Sequence, residues 1–119
     1  MVDEGVLTEL RASVQGDIDF VRELVEAYVA DSAELIDAIE AAVAESDAGA
    51  LVRPAHTLKS SSATLGAMTV SATARALETF ARSGTLDDES TRSAAERIRA
   101  EWDAAVVALR TWIDEAGTR

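Results

Sequence analysis

The 119-residue sequence has no cysteine, one histidine and one proline. Without cysteine the chain can form no disulfide, no thiolate metal site and no thiol nucleophile. A single histidine is too few for a nitrogen-based zinc site or for the two Glu-x-x-His motifs of a di-iron bundle. No apolar run approaches the roughly 20 residues of a membrane span. These absences exclude thiol chemistry, argue against zinc and di-iron sites, and leave one imidazole as the unusual side chain.

Positive charge is also scarce, because 11 basic side chains stand against 22 acidic ones and the formal charge is −11. Nucleic acids and anionic lipids repel such a chain, so we expect no nucleic-acid partner and no membrane partner. The N-terminal residues lack the basic-then-apolar pattern of a secretion signal. Together these features predict a cytoplasmic protein whose partners are other proteins.

Alanine is abundant and glycine is rare inside the periodic segments, which favours helix throughout. Apolar residues spaced three and four apart predict one short helix, about Asp3 to Val14, and four longer ones. The longer helices are expected to begin near Asp17, around Leu51, near Thr69 and after Asp87-Asp88. Short connections between them predict an all-α fold, an antiparallel up-down four-helix bundle. The short helix is expected to cover one end, and residues 1–119 to form a single domain.

His56 lies in the third predicted helix. At about 100° per residue, the apolar positions of this helix define an inward face, and His56 lies about 140° from its centre. Lys59 lies between the outward face and the edge of the core. The outward face also carries four mostly small side chains, those of Val52, Ser60, Ala63 and Ala67. This placement makes the imidazole accessible to a partner, although a surface histidine without a role remains an alternative on geometry alone.

The segment from Ala55 to Ala67 reads AHTLKSSSATLGA. It resembles the signature of histidine phosphotransfer (HPt) domains, the intermediates of multistep phosphorelays, which is His-x-Leu-Lys-Gly followed by small residues and Leu-Gly-Ala. The acidic second helix, the Ala76-Leu77-Glu78 stretch and the long final helix also fit that family. A motif of a dozen residues in the matching helix of a bundle is far more specific than an isolated His-x-x-Lys pair.

The resemblance implies that His56 accepts a phosphoryl group from a receiver-domain aspartate and passes it to another receiver-domain aspartate. It implies that Lys59 orients and neutralises the phosphoryl group, which suits an ammonium one helical turn from the imidazole. Ser60, four residues from His56, is placed to hydrogen-bond the imidazole or the phosphate. The chain itself would supply no cofactor and no other catalytic residue, since the acidic pocket, the magnesium ion and the aspartate belong to the receiver. The expected protein is a phosphocarrier and not an enzyme.

Receiver domains of hybrid histidine kinases and of response regulators are the partners that the resemblance implies. We expect them to dock over the outward face, on Val52, Ala63 and Ala67, with Arg82 nearby. Glu78 and Arg82 match positions that border the histidine in some members of the family. Arg82 is expected to attract the receiver or the phosphate, and Glu78 is not.

Two residues depart from the family pattern or from regular helix. Glycine is usual at the position of Ser60, and a serine there is expected to be tolerated at some cost in rate. Pro54 lacks the N–H that a helix interior requires. Its position predicts either a helix that starts late, near Arg53, or a kink just before His56.

An adaptor that docks receivers without carrying phosphate is the main alternative function. The intact pair of His56 and Lys59 argues against it. A monomer is expected for a carrier that visits two partners in turn. Met1 and the complete set of helices favour a free-standing protein.

Overall fold

The computed structural model describes residues 2–84, 86 and 88–118. In these residues the chain is all-helical, and it contains no strand. The helices are α1 (Glu4–Ser13), α2 (Ile18–Ala44), α3 (Ala48–Thr64), α4 (Met68–Ser83) and α5 (Glu89–Gly117). Helices α2 to α5 form an antiparallel up-down bundle in which both α3 and α5 pack against α2 and α4. The predicted fold is confirmed, and no described helix has the length and apolarity that crossing a bilayer requires.

Aspartate residues begin four of the helices, because a carboxylate can accept a hydrogen bond from a backbone N–H of the first turn that has no partner inside the helix. The acceptors are Asp3, Asp17, Asp47 and Asp88, at 3.0, 3.1, 3.0 and 2.8 Å from the backbone nitrogens of Gly5, Phe20, Ala50 and Thr91. The cap at Asp88 starts α5 at Glu89. Asp87, the other residue at the predicted start of this helix, lies outside the described residues.

The cap at Asp47 excludes one of the two interpretations of Pro54. Helix α3 begins at Ala48, and Pro54 is buried well inside it. A late start near Arg53 is therefore wrong. Pro54 has no N–H to donate to the first turn of α3. The Asp47 cap and the buried side chains around Pro54 stabilise that turn instead.

The core runs along the bundle between the four long helices. Its largest fully buried side chains include Ile36, Ile39, Leu51, Leu58, Leu77 and Ile98. On α3 the predicted inward face is confirmed, with Leu51, Ala55, Leu58 and Ser62 fully buried. Each buried leucine or isoleucine contributes about 1.5–3 kcal/mol through the hydrophobic effect. That packing sets the rotation of α3 about its own axis.

Helix α1 covers one end of the bundle, where Leu7 packs in a second cluster with Tyr28 and Leu65. The backbone N–H of Asp3 donates to the carbonyl of Gly66 at 2.8 Å. Gly66 has a φ of +79°, and a Cβ there would lie 2.7 Å from the carbonyl oxygen of Asp3. Only glycine fits this turn, so the Leu-Gly-Ala part of the motif both connects α3 to α4 and holds the N-terminal segment.

Candidate functional site

His56 lies on the side of α3 that faces away from the core, next to α4. Its neighbours Ala55 and Leu58 are fully buried, so the helix directs position 56 outward. The side chain of His56 is 54% exposed. The outward placement predicted from the sequence is therefore confirmed.

Glu78 of α4 joins the polar groups around His56, and its side chain is only 7% exposed. Nδ1 of His56 lies 2.9 Å from Oε2 of Glu78, and Nζ of Lys59 donates to Oε1 at 2.7 Å. Arg82, one turn further along α4, donates to Oε2 from Nε at 3.0 Å and from Nη2 at 2.7 Å. One buried carboxylate therefore accepts from three side chains on two helices.

These donors keep Glu78 ionised. The hydrogen bond from Lys59, then that from Arg82 and a smaller one from His56, lower the pKa of Glu78 from 4.5 to about 2, although burial acts to raise it. An ionised carboxylate only accepts hydrogen bonds, so Nδ1 of His56 carries the hydrogen and donates it to Glu78. In the neutral imidazole the free lone pair is then on Nε2. The site presents a half-exposed imidazole of defined tautomer beside two cations.

Comparison with known proteins identifies the family of this chain. The sequence matches the Hpt domain family over residues 23–116. The chain belongs to the Hpt domain family. Its structure is similar to the crystal structure of histidine-containing phosphotransfer protein B from Pseudomonas aeruginosa PAO1, with a TM-score of 0.84 and 26% sequence identity over 96% of this chain and 95% of that one. No match was found among the curated proteins. The family assigns this Hpt domain a part in histidine phosphotransfer, as a phosphocarrier and not an enzyme.

The Glu78 cluster of this Hpt domain predicts a specific dependence of stability on acid. Because the pKa of Glu78 is lowered from 4.5 to about 2, its contribution to stability is complete above pH 4.5 and is lost as the pH falls towards 2. We expect the Glu78→Gln variant to be less stable at pH 7 by about 1–2 kcal/mol, a value reduced by the exposure of the partner cations. Urea unfolding of both proteins at several pH values from 7 to 2 measures this difference. It should shrink through the acid range, and a difference independent of pH would contradict the ionised cluster.

The predicted site residues on α3 lie in three different environments. Lys59 is 30% exposed and hydrogen-bonded to Glu78. Ser60 is exposed, and among the described residues no hydrogen bond joins its hydroxyl to His56. Val52 is partly buried against the main core, and Ala63 is also partly buried. The outward face of the Hpt domain therefore contains His56, Ser60 and parts of Val52 and Ala63.

Ala67 does not lie on that face, and its assignment to partner docking is wrong. The residue is fully buried and belongs to the main core. Helix α3 ends at Thr64, so the rotation of 100° per residue does not extend to position 67. Ala67 instead follows the Gly66 turn and precedes the first residue of α4.

The part played by Glu78 was not predicted from the sequence. Arg82, whose side chain is 59% exposed, shares the Glu78 carboxylate with His56, so it lies on the same side of the site as predicted. Two signals were available: Glu78 matches a family position that borders the histidine, and Arg82 follows it by four residues, the spacing of a helical ion pair. A carboxylate beside a phosphate site is expected to repel the phosphate. Here its negative charge is balanced by the three side chains that donate hydrogen bonds to it.

Ser62 of α3 also has a specific hydrogen-bond partner inside the bundle. It is fully buried, and its hydroxyl lies 2.7 Å from the hydroxyl of Tyr28 on α2. Tyr28 in turn borders a groove of about 340 Å³ between α2 and α3. The groove is mostly apolar, and its lining includes Leu24, Ala27, Leu35, Thr57, Ser61 and Leu65. Since Thr57 and Ser61 adjoin His56 and Ser60 on α3, the groove borders the face that carries the histidine.

Proposed function

We propose that this Hpt domain is a phosphorelay intermediate. It accepts a phosphoryl group from a receiver-domain aspartate onto His56 and passes the group to an aspartate of another receiver domain. The observation that carries this proposal is the hydrogen bond between Nδ1 of His56 and the ionised Glu78, which leaves Nε2 free on an exposed surface. The donors and acceptors are receiver domains of hybrid histidine kinases and of response regulators, for which the Hpt domain acts as a co-substrate.

In the first half-reaction the lone pair of Nε2 attacks the phosphorus of the aspartyl phosphate. A P–N bond forms, the P–O bond to the aspartate breaks, and its electron pair remains on the receiver's carboxylate. Nδ1 of His56 keeps its proton, because Glu78 has a pKa of about 2 and does not accept it. The imidazole therefore gains positive charge, which the carboxylate at 2.9 Å stabilises. The second half-reaction follows the same steps in reverse towards another receiver.

Lys59 and Arg82 supply the positive charge that a phosphoryl group on His56 requires. A phosphoryl group carries about −1.5 to −2 at neutral pH. Both cations are held next to the imidazole by Glu78, and both side chains are partly exposed, so each can turn towards a phosphate without being taken out of water. Ser60, exposed one turn from His56, is a further hydrogen-bond donor for the phosphate oxygens.

The receiver docks over the outward face of α3 and the groove beside it. Val52, Ser60 and Ala63 leave room for a close approach, and Arg82 borders the same face from α4. The magnesium ion and the acidic pocket are contributed by the receiver, and this chain supplies no cofactor. The protein acts in the cytoplasm as a monomer, and its net charge of −11 argues against binding to nucleic acids or anionic membranes.

Enlarging Ala63 tests the docking face. We expect Ala63→Trp to slow transfer by about tenfold or more, because an added indole on the same face of α3, two turns from the histidine, prevents close packing. Ala104→Trp on α5, where the residue is exposed, is the matched control and should transfer normally. Transfer from a labelled receiver domain, followed over time, measures both. A normal rate in Ala63→Trp would place the docking face elsewhere.

The proposed function is tested with purified receiver domains of the same organism, each radiolabelled on its aspartate. Label that moves to this protein and is acid-labile but base-stable identifies a phosphohistidine and the partner that supplied it. Label that then leaves for an unlabelled second receiver shows the relay. A receiver that binds without giving up its label favours the alternative, a docking adaptor.

A further inference from the structure

Charge is divided very unevenly between the two sides of the bundle. Residues 48–83, which form α3, α4 and their turn, contain four basic side chains and one acidic side chain, a net charge of +3. The rest of the chain contains 7 basic and 21 acidic side chains, a net charge of −14. The histidine therefore lies on the one cationic side of a strongly anionic protein.

Two of the four cations on this side have no side-chain partner among the residues that the structure describes. Lys59 and Arg82 are hydrogen-bonded to Glu78. In the part of the chain that the structure describes, the exposed side chains of Arg53 and Arg75 make neither a hydrogen bond nor an ion pair. The arginines of α2 and α5 differ in this respect, since Arg22, Arg92, Arg97, Arg99 and Arg110 all pair with acidic side chains.

Arg53 and Arg75 lie on opposite sides of the histidine along the bundle axis. Arg53 precedes His56 by three residues on α3, a rise of about 4.5 Å. On α4, which runs in the opposite direction, Arg75 lies between Ser71, whose hydroxyl donates to the backbone carbonyl of Lys59, and Glu78, so it lies on the Lys59 side of His56. Arg75 and Arg82 are seven residues apart and point within about 20° of one another. We call Arg53, Lys59, Arg75 and Arg82 the cationic frame of His56.

We propose that the cationic frame is a docking surface for an acidic protein surface, and that Arg53 and Arg75 are the residues that select it. This inference rests on the proposed function, because the acidic surface is the rim of the receiver pocket that holds the phosphorylated aspartate. Lys59 and Arg82 bind the phosphoryl group. Arg53 and Arg75 bind carboxylates around the receiver pocket. Charge complementarity of this kind raises association rates and excludes partners with a basic rim.

The size of the bundle favours a compact acidic surface over an extended polyanion. The molecule is 21 Å across in both short directions. The anionic helices α2 and α5 pack directly against α3 and α4, so they lie about 8–10 Å away, which is about one Debye length at physiological salt. A nucleic acid or an anionic membrane extends past the cationic frame, so α2 and α5 repel the parts of it that lie outside the frame. The rim of a small domain centred on His56 contacts only the frame and is not repelled.

Reversal of the two arginines tests the proposal by binding kinetics. The proteins are wild type, Arg53→Glu, Arg75→Glu, the double variant and Arg22→Glu. The last has the same change in net charge as a single variant but lies on α2, where its exposed pair with Asp19 contributes little to stability. Association with each purified receiver domain of the organism is followed by stopped-flow fluorescence at 25 mM and 500 mM NaCl. A DNA duplex of 30 base pairs is the polyanion probe, and phosphoryl transfer to His56 is recorded in parallel.

At low salt we expect the association rate to fall by about 3- to 10-fold in each single variant and by about 10- to 100-fold in the double variant. Arg22→Glu should change it by less than about twofold, and at 500 mM NaCl the differences should largely disappear. If the variants lose binding and no receiver transfers to wild type, the docking surface stands and the phosphocarrier proposal fails. If wild type accepts phosphate and the frame variants bind like Arg22→Glu, only the inference about the frame is overturned. Tighter binding of wild type to DNA than to any receiver would overturn it as well, and no receiver binding at all would overturn both.

Discussion

Phosphoryl transfer to this protein is expected to disappear when His56 is replaced by glutamine. The amide has no lone pair of comparable nucleophilicity, and no other histidine or cysteine is present to replace the imidazole. The label that a receiver transfers should fall by at least about 10³-fold, to the background of the assay. Acid-labile, base-stable radiolabel on the two proteins measures this loss.

The fold should survive this substitution. Half of the His56 side chain is exposed, and Glu78 keeps its hydrogen bonds to Lys59 and Arg82 when the imidazole is absent. The lost hydrogen bond is worth about 1 kcal/mol. Thermal unfolding followed by circular dichroism should therefore remain close to wild type, and the receivers should still bind. Label that persists on His56→Gln would mean that another residue accepts the phosphoryl group.

Substitution of Glu78 is expected to have the next largest effect, although this residue does not touch the phosphoryl group in the proposed reaction. Its carboxylate holds the hydrogen on Nδ1 and stabilises the positive charge that develops on the ring. Glu78→Gln keeps an acceptor for Nδ1 but loses the charge, so we expect transfer to slow by about tenfold. Glu78→Ala loses both the acceptor and the charge, and it leaves Lys59 and Arg82 without the carboxylate that positions them. We therefore expect transfer to slow by about 100-fold in this variant. Single-turnover transfer from a labelled receiver gives both rates.

A measurement that does not depend on phosphoryl transfer shows whether Glu78 positions the His56 ring or only stabilises the fold. The ¹⁵N shifts of the His56 ring report which nitrogen carries the hydrogen. Wild type and Glu78→Gln should show the Nδ1–H form, whereas Glu78→Ala should show a mixture of tautomers. Glu115→Gln, an exposed carboxylate at the far end of α5, is the control and should change neither the shifts nor the rate. Unchanged shifts and rates in Glu78→Ala would show that the carboxylate does not position His56.

Most of the fold and the central residue of the site could be read from the sequence, because both depend on local periodicity. Spacings of three and four recur in every helix, and the aspartates that start α2 and α3 satisfy backbone donors within three residues of themselves. The same periodicity placed His56 outward, since Ala55 and Leu58 have to be inside. The motif that follows His56 then indicated the family, which the match over residues 23–116 confirms.

Helical periodicity predicts the wrong position for Ala67, because α3 ends before this residue. Continuing the rotation of α3 past Thr64 places Ala67 on the outward face, whereas the chain turns at Gly66 and buries Ala67. The turn depends on a contact with Asp3, which lies more than 60 residues earlier in the chain. The rotation of 100° per residue holds only within one helix. It therefore could not predict the orientation of a residue that lies beyond the end of α3.

The sequence by itself determined the all-helical bundle, the outward position of His56 and the lysine one turn away, because each follows from the repeat of a single helix. Only the tertiary structure decided which tautomer His56 holds, since Glu78 reaches it from another helix, 22 residues along the chain. The same packing decided that Lys59 and Arg82 converge on that carboxylate, and that the side chains of Arg53 and Arg75 find no partner within residues 2–84, 86 and 88–118. Hydrogen bonds and ion pairs between helices depend on how the helices are set against each other. That arrangement results from the burial of the whole core and not from any one segment.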